Sequence, residues 1–287
     1  MSTHHRVAMA QHDYRLSERL IRAISGWMIN PKDTVESVLE EGADVNRPHG
    51  TLLPLQCSCM RGDVDIVKLI LEHGGEVNAV DGYSRTALHY AAEQDVDCVT
   101  LLLDCGADPN ALSNNEETPI HWAAFRSKSG CLQTLLERQA AVNVSDIHGN
   151  TPLSWAAMKG NYECVQLLLE YGAEPHTVSH DGATPISRVA GLIAAGLDTE
   201  NERPCLDVLI RASGQFDVRD EDGMFSRSVA DDTELCDLLR QHCCQPRPLR
   251  QQCRYAVRHC LSSQHMPNVV KKLPIPAPLQ RYLLLQT

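Results

Sequence analysis

The sequence predicts an all-α fold: a solenoid of helix-turn-helix repeats with β-hairpin tips, followed by a small helical module. Three observations predict it. A Thr-Pro-Leu-His-like tetrapeptide begins at residues 53, 86, 118, 151 and 184, a period of about 33 residues. Each copy leads into apolar helical segments, and most units close on a Gly-Ala-Asp-Val-Asn-like turn. After residue 244 this period is lost, and a different amphipathic pattern takes its place.

The first 30 residues are expected to cap the solenoid at its N-terminal end. A repeat cannot bury its apolar face alone, so the ends of a solenoid need caps. Apolar residues at helical spacing predict an amphipathic helix here, and residues 34–41 supply its partner helix. The apolar residues concerned are Leu16, Leu20, Ile21 and Ile24.

Residues 31–244 are interpreted as the repeats, and the residue types indicate the role of each part. The Thr that begins each motif suits an N-cap, and the Pro that follows it suits the first helical position. The Gly that ends a unit supplies a left-handed C-cap, and Asp81-Gly82 supplies the turn chemistry of a hairpin tip. The tetrapeptide at this period resembles the ankyrin repeat. Gln56 and Ser154 stand where that pattern has His.

Histidines and aromatic residues recur at fixed positions of the repeats. We expect His89 and His121 to bridge repeats through hydrogen bonds to the motif Thr, with metal binding and catalysis as the alternatives. An aromatic residue follows at Tyr90, Trp122 and Trp155. We interpret this stripe as packing between repeats; the alternative, base stacking, is disfavoured by a net charge of −11.

The last repeats are irregular. The unit between Gly172 and the matching Gly214 is longer than the others, and the excess lies in residues 191–204. This excess is expected to form an extended first helix and a solvated loop. A degenerate helix at residues 233–240 is interpreted as a half-repeat that closes the stack, with residues 245–247 as a hinge.

The second module begins with a predicted amphipathic helix. Leu249, Cys253 and Val257 are spaced four apart, so they rise along one helical face, with Ala256 beside them. Pro248 suits the first turn, because its fixed φ is helical and its missing N–H would be unpaired there. The opposite face, which we expect to be solvated, carries Arg250, Gln251, Arg254 and Arg258.

A proline-containing segment, Leu273-Pro274-Ile275-Pro276, follows this helix. Two prolines hold the backbone extended, so a partner that grips Leu273 and Ile275 would order little additional chain. Apolar residues from Leu279 to Leu285 then predict a short final helix. Taken together, residues 245–287 resemble a SOCS box.

In that family a small residue followed by Leu, Cys and an aliphatic residue at these spacings makes the elongin C-binding helix. A Leu-Pro-x-Pro segment downstream selects cullin 5. The resemblance implies that elongin C contacts Pro248, Leu249, Cys253, Ala256 and Val257. It implies that the cullin contacts Leu273, Pro274, Ile275 and Pro276, where Ile275 replaces a more usual Leu.

Ankyrin repeats followed by a SOCS box resemble the ankyrin repeat and SOCS box family. The resemblance implies a substrate-recognition adaptor of a cullin-RING ubiquitin ligase. Its implied partners are elongin C, elongin B, cullin 5 with its RING partner, and a client protein of unknown identity. One alternative is an ankyrin scaffold outside any ligase, whose C-terminal helix only caps the solenoid. A narrower alternative is cullin 2 in place of cullin 5, which the proline segment disfavours.

Client binding is expected on the concave face that the tips and first helices of a solenoid form. In ankyrin families the exposed positions flank the tip glycine or follow the Ala-Ala pair. Phe125 and Met158 are apolar where they need not be, which indicates docking, with burial against a neighbouring repeat as the alternative. The candidate client-binding residues are Tyr83, Arg85, Asn115, Glu117, Phe125, Arg126, His148, Asn150, Met158 and Lys159.

Composition restricts the classes of function. Lys and Arg number 26 against 37 Asp and Glu, which argues against a binder of nucleic acid or of anionic membranes. No apolar run approaches the roughly 20 residues of a membrane span, and no secretory apolar segment follows Met1. Cys98, Cys131 and Cys164, among 12 cysteines, recur at one apolar repeat position. We therefore expect free thiols and a cytoplasmic protein.

No metal site, cofactor or catalytic activity is expected. Cys57-x-Cys59 and Cys243-Cys244 have poor spacing for tetrahedral zinc. The sequence contains no Gly-rich phosphate loop, Gly-x-Ser-x-Gly or His-Glu-x-x-His motif. The chain is therefore not predicted to be an enzyme.

Overall fold

The computed structural model describes residues 3–26, 33–197, 201–213, 216, 218, 224–225, 227–243, 249–261 and 266–285. It confirms the predicted fold class, a helical repeat solenoid with a helical C-terminal module. The chain divides into two compact units. Unit 1 comprises residues 1–122 and 130–140, and unit 2 comprises residues 123–129 and 141–287. The domain boundaries predicted at residues 30/31 and 244/245 stay predictions.

The helices follow one another with short connections. Unit 1 contains α1 Thr3–Ser25, α2 Val35–Glu40, α3 Pro54–Arg61, α4 Val64–Glu72, α5 Ala87–Ala92 and α6 Val96–Asp104. Both units contribute residues to α7 Pro119–Phe125 and α8 Ser129–Glu137. Unit 2 contains α9 Pro152–Met158, α10 Tyr162–Glu170, α11 Pro185–Ala194, α12 Glu202–Ala212, α13 Arg227–Asp231, α14 Thr233–His242, α15 Leu249–Cys260, α16 Met266–Lys272 and α17 Ala277–Leu283. None of these helices combines the length and apolar composition that crossing a bilayer requires.

α1 and α2 form a helix pair in the N-terminal part of unit 1. Leu16, Leu20 and Ile24 of α1 are buried, and α1 packs against α2 and α3. Arg19 of α1 links this helix to the residues that flank α2, because its guanidinium pairs with Asp33 at 2.7 Å and with Glu41 at 2.5 Å. The guanidinium hydrogen bonds lower the pKa of both carboxyl groups.

The repeat motif supplies the helix caps. Thr86, Thr151 and Thr184 are the N-cap residues of α5, α9 and α11. The glycines that end the units take left-handed φ angles, as at Gly106 with φ 88°. Gln139 adopts the same left-handed region, with φ 66°, where the other units have Gly.

The hairpin tips are tight turns organised by one short polar side chain each. Asp81 Oδ1 accepts from the backbone N–H groups of Tyr83 and Arg85, at 2.8 and 2.9 Å. Ser113 and Asp146 accept from backbone groups at the same spacing. The left-handed residue of the first such tip is Ser84, with φ 57°, and not Gly82. Within the described residues the only β pairing is an isolated bridge between His49 and Leu52.

Unit 2 contains the irregular repeat. α11 runs on to Ala194 and packs against α9 and α12, which confirms the extended first helix; residues 198–200 of the expected loop lie outside the described residues. The degenerate helix is α14, and its Leu235, Cys236 and Leu239 are buried.

Candidate functional site

The two faces of α15 differ sharply in exposure. Cys253, Ala256 and Val257, three of the expected elongin C contacts, are exposed to solvent, and Val257 is 37% exposed. Arg254 and Arg258 are each only 8% exposed. Pro248 and the side chain of Leu249 lie outside the described residues. The face that carries the sequence motif is therefore the face that this chain leaves uncovered.

Arg258 connects three parts of unit 2. Its Nη2 donates to the carbonyl oxygen of Leu169, near the end of α10, at 2.8 Å. Its Nη1 donates to the carbonyl oxygen of Leu283, the last residue of α17, at 2.6 Å. Burial, together with the charge of Arg254, lowers the pKa of Arg258 to about 10, so this guanidinium stays charged at neutral pH.

Arg254 makes a second connection between α15 and the repeats. Its Nη2 donates to the carbonyl oxygen of Arg211, near the end of α12, at 2.5 Å. Its guanidinium carbon also lies 4.5 Å from the ring centroid of Tyr282, a cation–π arrangement. Between the two arginines, Tyr255 meets the His176 ring edge to face, with 5.2 Å between the centroids.

The expectation that Arg254 and Arg258 belong to a solvated face is therefore wrong. Helical periodicity gives a two-sided helix, but it does not say which side packs inwards. Arginine can be buried where carbonyl oxygens satisfy its guanidinium N–H groups. The described carbonyl groups at the ends of α10, α12 and α17 do so here.

The proline segment lies on a small apolar cluster of the C-terminal module. Met266, Val270 and Leu283 form the buried part of this cluster. Leu273 and Ile275 are partly buried against it, so they are less available to a partner than expected. Pro274 and Pro276 are exposed. A partner would therefore meet the proline rings first.

Four candidate client-binding residues lie in unit 1. Tyr83 is 57% exposed, and Asn115 is exposed. The Arg85 guanidinium carbon lies 4.3 Å from the ring centroid of Trp122, and one of its nitrogens lies 3.7 Å from a Glu117 carboxylate oxygen. Glu117 is only 7% exposed, so the expectation that it is available to a client is wrong: its carboxylate accepts from Ser113 inside the tip.

In unit 2 a cationic group covers an aromatic pair. Phe125 is partly buried and meets the Trp155 ring edge to face at 5.3 Å. The Lys159 ammonium nitrogen lies 4.1 Å from the Phe125 ring centroid, and the Arg126 guanidinium carbon lies 5.8 Å from it. Lys159 and Arg126 are exposed. This arrangement presents positive charge around a partly exposed aromatic ring.

The remaining three candidates lie beside Arg188 of α11 or at a tip. Met158 Sδ accepts from Arg188 Nη1 at 3.2 Å, and Asn150 Oδ1 accepts from Arg188 Nη2 at 2.6 Å. Asn150 is 8% exposed and also bonds to Asp146, so the expectation that it is free for a client is wrong. His148 is exposed.

The recurring histidines bond to the motif Thr as predicted, but this bond lies within one repeat, and the bridge from His89 to the next repeat goes to a backbone carbonyl. His89 Nδ1 accepts from the Thr86 backbone N–H at 3.1 Å, so Nε2 carries the proton and donates to the Glu117 carbonyl oxygen of the next repeat, also at 3.1 Å. Burial lowers the pKa of His89 to about 4. His121 Nδ1 repeats the bond to the motif Thr, accepting from the Thr118 backbone N–H. The described geometry gives His89 a structural role.

The aromatic position after the histidine has its own structural partner. Tyr90 donates to Asp81 at 2.5 Å, and Trp155 donates to Asp146 at 3.0 Å. Arg188 occupies this position in the next repeat and donates to Ser179 at 3.0 Å. Sequence reasoning missed Arg188, although it stands in register with Tyr90 and Trp155.

Cysteines and acidic residues form no evident reactive centre in the part of the chain that the structure describes. The described cysteines are free thiols, and no group of three or more His, Cys, Asp or Glu side chains there could hold a metal ion. Burial raises the pKa of Cys57 to about 11 and that of Cys98 to about 12. Both thiols are therefore protonated and unreactive at neutral pH.

Comparison with known proteins agrees with both modules. A family model for ankyrin repeats, in three copies, matches residues 20–113 and 95–179, and a family model for the SOCS box matches residues 245–284. Ankyrin repeat and SOCS box protein 8 of Mus musculus, of Bos taurus and of Homo sapiens are each similar to this chain. Each is 67% identical to it over 275 residues, which cover 96% of this chain and 95% of the relative.

Proposed function

We propose, because this chain belongs to the ankyrin repeat and SOCS box family of adaptors, that it recruits client proteins to an elongin B/C–cullin 5–RING ubiquitin ligase. The proposal gives the chain two binding surfaces. One is the exposed face of α15 for elongin C, and the other is the tip-side surface of the ankyrin repeats for the client. The family suggests a non-catalytic protein.

The observation that carries this proposal is the exposure of Cys253, Ala256 and Val257. A helix of about twelve residues is marginal alone and needs its apolar stripe covered. In this chain the inward side of α15 is the arginine side, so the apolar stripe remains for another protein. Leu249 belongs to the same stripe by sequence spacing, and we propose it as the anchor of the contact with elongin C.

The cullin contact is proposed at Leu273 to Pro276. Exposed Pro274 and Pro276 offer rigid, apolar surface that costs little entropy to bind. Leu273 and Ile275 support them from the apolar cluster beneath. The match of this segment to the cullin 5-selecting element favours cullin 5 over cullin 2.

The client surface is proposed in two parts, one for each compact unit. In unit 1 it comprises Tyr83, Arg85 and Asn115, with Glu117 as a buried support. In unit 2 the Lys159–Phe125 stack and Arg126 present cation and aromatic ring together, and Asn150 is the buried support. The remaining contacts proposed there are His148 and Met158.

The proposed mechanism is to position the client protein for ubiquitin transfer. Holding a client lysine near the charged ubiquitin-conjugating enzyme raises its effective concentration there, and this chain does no bond chemistry itself. We propose that this takes place in the cytoplasm, because a chain with many buried free thiols suits a reducing compartment.

Co-purification tests the ligase assignment. Wild-type chain, co-expressed with elongins B and C, should retain both through affinity and size-exclusion steps. Leu249→Ala with Cys253→Ala should lose them, since each buried aliphatic side chain contributes roughly 1.5–3 kcal/mol. Equal recovery of the elongins with the double variant would overturn the assignment.

Proximity labelling in cells tests the client surface. Phe125→Ala with Met158→Ala should remove a subset of labelled proteins while elongins B and C stay labelled at the wild-type level. Gln166→Ala, at an exposed position of α10 outside the proposed client surface, is the comparison and should leave the set of labelled proteins unchanged. An unchanged set of labelled proteins would show that clients do not bind at Phe125 and Met158.

A second reading is an ankyrin scaffold whose C-terminal helix only closes the stack. One observation favours it, since Arg254 and Arg258 of α15 do bond to the repeats of unit 2. A cap, however, needs only its inward face and gains nothing from exposed Cys253 and Val257. Failure of the wild-type chain to bind elongins would favour the scaffold.

A further inference from the structure

The two buried arginines of α15 end on helix C-termini. Leu169 and Arg211 are the next-to-last residues of α10 and α12, and Leu283 is the last residue of α17. Carbonyl groups in the last turn of a helix lack intrahelical donors. They also lie at the negative end of the helix macrodipole, where a cation is favoured. The carbonyl oxygen of Leu169 also accepts from the Gly172 N–H at 3.1 Å, so Arg258 adds a second, charge-assisted donor there. The guanidinium groups thus bond to carbonyl groups in the last turns of all three helices.

These contacts resist sliding more than apolar packing does. An apolar seam tolerates small rotations, because dispersion and burial have little directionality. Hydrogen bonds weaken steeply away from linear geometry, and Arg258 must satisfy two carbonyl groups at once, at 2.6 and 2.8 Å. Arg254 adds a third bond about one helical turn earlier. The bonds to Leu169 and Arg211 join α15 to two helices of the repeats, and the bond to Leu283 joins it to α17 of its own module. Because the two bonds to the repeats are directional and lie one turn apart, they fix the rotation of α15 as well as its position.

We infer that Arg258 and Arg254 are positioning residues that lock α15 in one orientation on the repeats of unit 2 and thereby set where the exposed face of α15 points. This inference rests on the proposed function for its consequence, since the exposed face would carry the ligase and the repeats would carry the client. The buried arginine side of α15 would set the orientation of the helix on the repeats, and the exposed side would bind elongin C.

Loss of these arginine bonds should therefore affect elongin binding and ubiquitin transfer to lysines differently. Loss of an arginine bond leaves Cys253, Ala256 and Val257 in place on α15, so elongin affinity should be kept. The helix could then rotate on the repeats, and lysines carried by the repeats would meet the conjugating enzyme less often. Misplacement by about 1 Å can cost up to about a hundredfold in rate.

Distance measurement tests the lock directly, without any ligase component. Spin labels would be attached through a ketone-bearing unnatural residue at two exposed positions, 178 at a tip of unit 2 and 252 on α15, because the free cysteines of the chain preclude thiol labels. Arg258→Gln and Arg254→Gln should broaden the distance distribution, and Arg258→Lys should broaden it less. Arg281→Gln, which changes an exposed arginine of α17, is the matched control and should keep the wild-type distribution. Unchanged distributions in both Gln variants would overturn the inference.

Self-ubiquitination provides the functional readout and needs no client. The chain would be reconstituted with elongins B and C, cullin 5, its RING partner, a conjugating enzyme and ubiquitin, and modified lysines would be counted by mass spectrometry. Lys271 and Lys272 of α16 lie in the module that binds the ligase, whereas Lys159 lies on the repeats. Arg258→Gln should lower the share of Lys159 at least severalfold relative to the two α16 lysines, with elongin affinity within about twofold of wild type.

The outcomes separate the inference from the proposed function. Elongin binding with an unchanged lysine pattern in Arg258→Gln and Arg254→Gln would reject the positioning role and keep the ligase assignment. No elongin binding by wild type would reject the ligase assignment, and the label distances would still decide whether the arginines lock α15. If Arg258→Gln fails to fold, judged by circular dichroism, Arg254→Gln and Arg258→Lys carry both tests.

Discussion

Val257 and Arg258 are neighbours in the chain, yet Val257 lies on the exposed side of α15 and Arg258 on its buried side. Val257 is 37% exposed, whereas Arg258 is 8% exposed and donates to the carbonyl groups of Leu169 and Leu283. Successive helical positions point about 100° apart, so one residue can belong to an outer face while the next belongs to the inner one. This pair separates the surface proposed for a partner from the surface that holds the helix to its own chain.

Replacement of Val257 by Asp should weaken elongin binding at least about 30-fold without unfolding the chain. The side chain is exposed in this structure, and exposed substitutions usually change stability by no more than about 0.5 kcal/mol. In the proposed complex, however, the new carboxylate would be taken out of water inside an apolar contact, which should cost at least about 2 kcal/mol, a factor of about 30 in affinity. Isothermal titration with purified elongins B and C measures it.

The matched control is Val178→Asp, the same change at a hairpin tip of unit 2 where the side chain is 58% exposed. It should leave elongin affinity at the wild-type value. If Val257→Asp binds elongins as tightly as Val178→Asp does, the exposed face of α15 is not the docking surface.

The repeat chemistry could be predicted because it is local. A Thr three residues before His or Ser caps its own helix, as Thr86 and Thr184 do, and Gly106 adopts the left-handed conformation at the end of its own unit. The bond from His89 to the next repeat follows from the period, since adjacent units repeat the same geometry.

The wrong expectations concerned polar and charged side chains that other groups of this chain bind. Glu117 and Asn150 carry polar side chains at tip positions, but Ser113 and Asp146 at the base of the same tips bind them inwards. Arg254 and Arg258 carry charge, but helix ends distant in sequence satisfy it. A pattern with the period of a helix identifies faces, and only the fold decides which face is buried.

Asp146 should prove the most costly tip residue to remove from unit 2. It is 5% exposed, and it accepts from the backbone N–H groups of His148 and Asn150, both at 2.8 Å, and from Trp155 Nε1 at 3.0 Å. Burial alone would raise its pKa, but these hydrogen bonds outweigh it and lower the pKa. Asp146→Ala leaves several buried donors unpaired and should destabilise unit 2 by about 2–4 kcal/mol.

Urea unfolding followed by tryptophan fluorescence measures the loss at Asp146. Because the folded-state pKa is lowered, the stabilisation by Asp146 is present above its unfolded pKa of about 3.9 and is lost as pH falls through the folded pKa. Asp237→Ala, at a site that is 70% exposed, should cost about 0.5 kcal/mol or less. Comparable losses from the two substitutions would show that the tip does not depend on Asp146.

Gln139→Gly should stabilise unit 1. Gln139 has φ 66° at the end of α8, where equivalent residues such as Gly106 are glycine. A side chain in the left-handed region costs about 1 kcal/mol or more, and the greater freedom of Gly in the unfolded chain offsets part of the gain. The expected net gain is about 0.5 kcal/mol, measurable as a shift of the urea midpoint with an unchanged slope.

Gln133→Gly, inside α8, tests whether that gain comes from backbone conformation. Gly in a helix interior costs about 1 kcal/mol relative to good helix formers, so this change should shift the midpoint in the opposite direction. A loss of stability in Gln139→Gly would mean that contacts of the Gln139 side chain outweigh the strain of its backbone.

His89→Gln should make unit 1 less sensitive to acid. Neutral His89 accepts from Thr86 and donates to Glu117, and protonation of Nδ1 would remove the acceptor. The chain already contains the substitute, because Gln56 accepts from the Leu53 N–H at 3.0 Å and donates to the Arg85 carbonyl oxygen at 2.9 Å. Gln at position 89 should therefore keep both bonds at neutral pH without titrating.

The direction and size of this pH effect on stability follow from the pKa of His89, which burial lowers from 6.5 in the unfolded chain to about 4 in the fold. The stabilisation by neutral His89 is fully present above about pH 6.5, declines as pH falls, and is lost below about pH 4. Between about pH 7 and pH 4.5 wild type should lose about 2.5 kcal/mol more than His89→Gln, as measured by urea unfolding at both pH values. His89→Leu should also flatten the pH dependence, but with lower stability at pH 7, because it leaves the buried Thr86 N–H unpaired and removes the bond to the Glu117 carbonyl, which keeps only its bond from the Ser113 N–H. A pH dependence in His89→Gln as steep as in wild type would place the acid-sensitive group elsewhere.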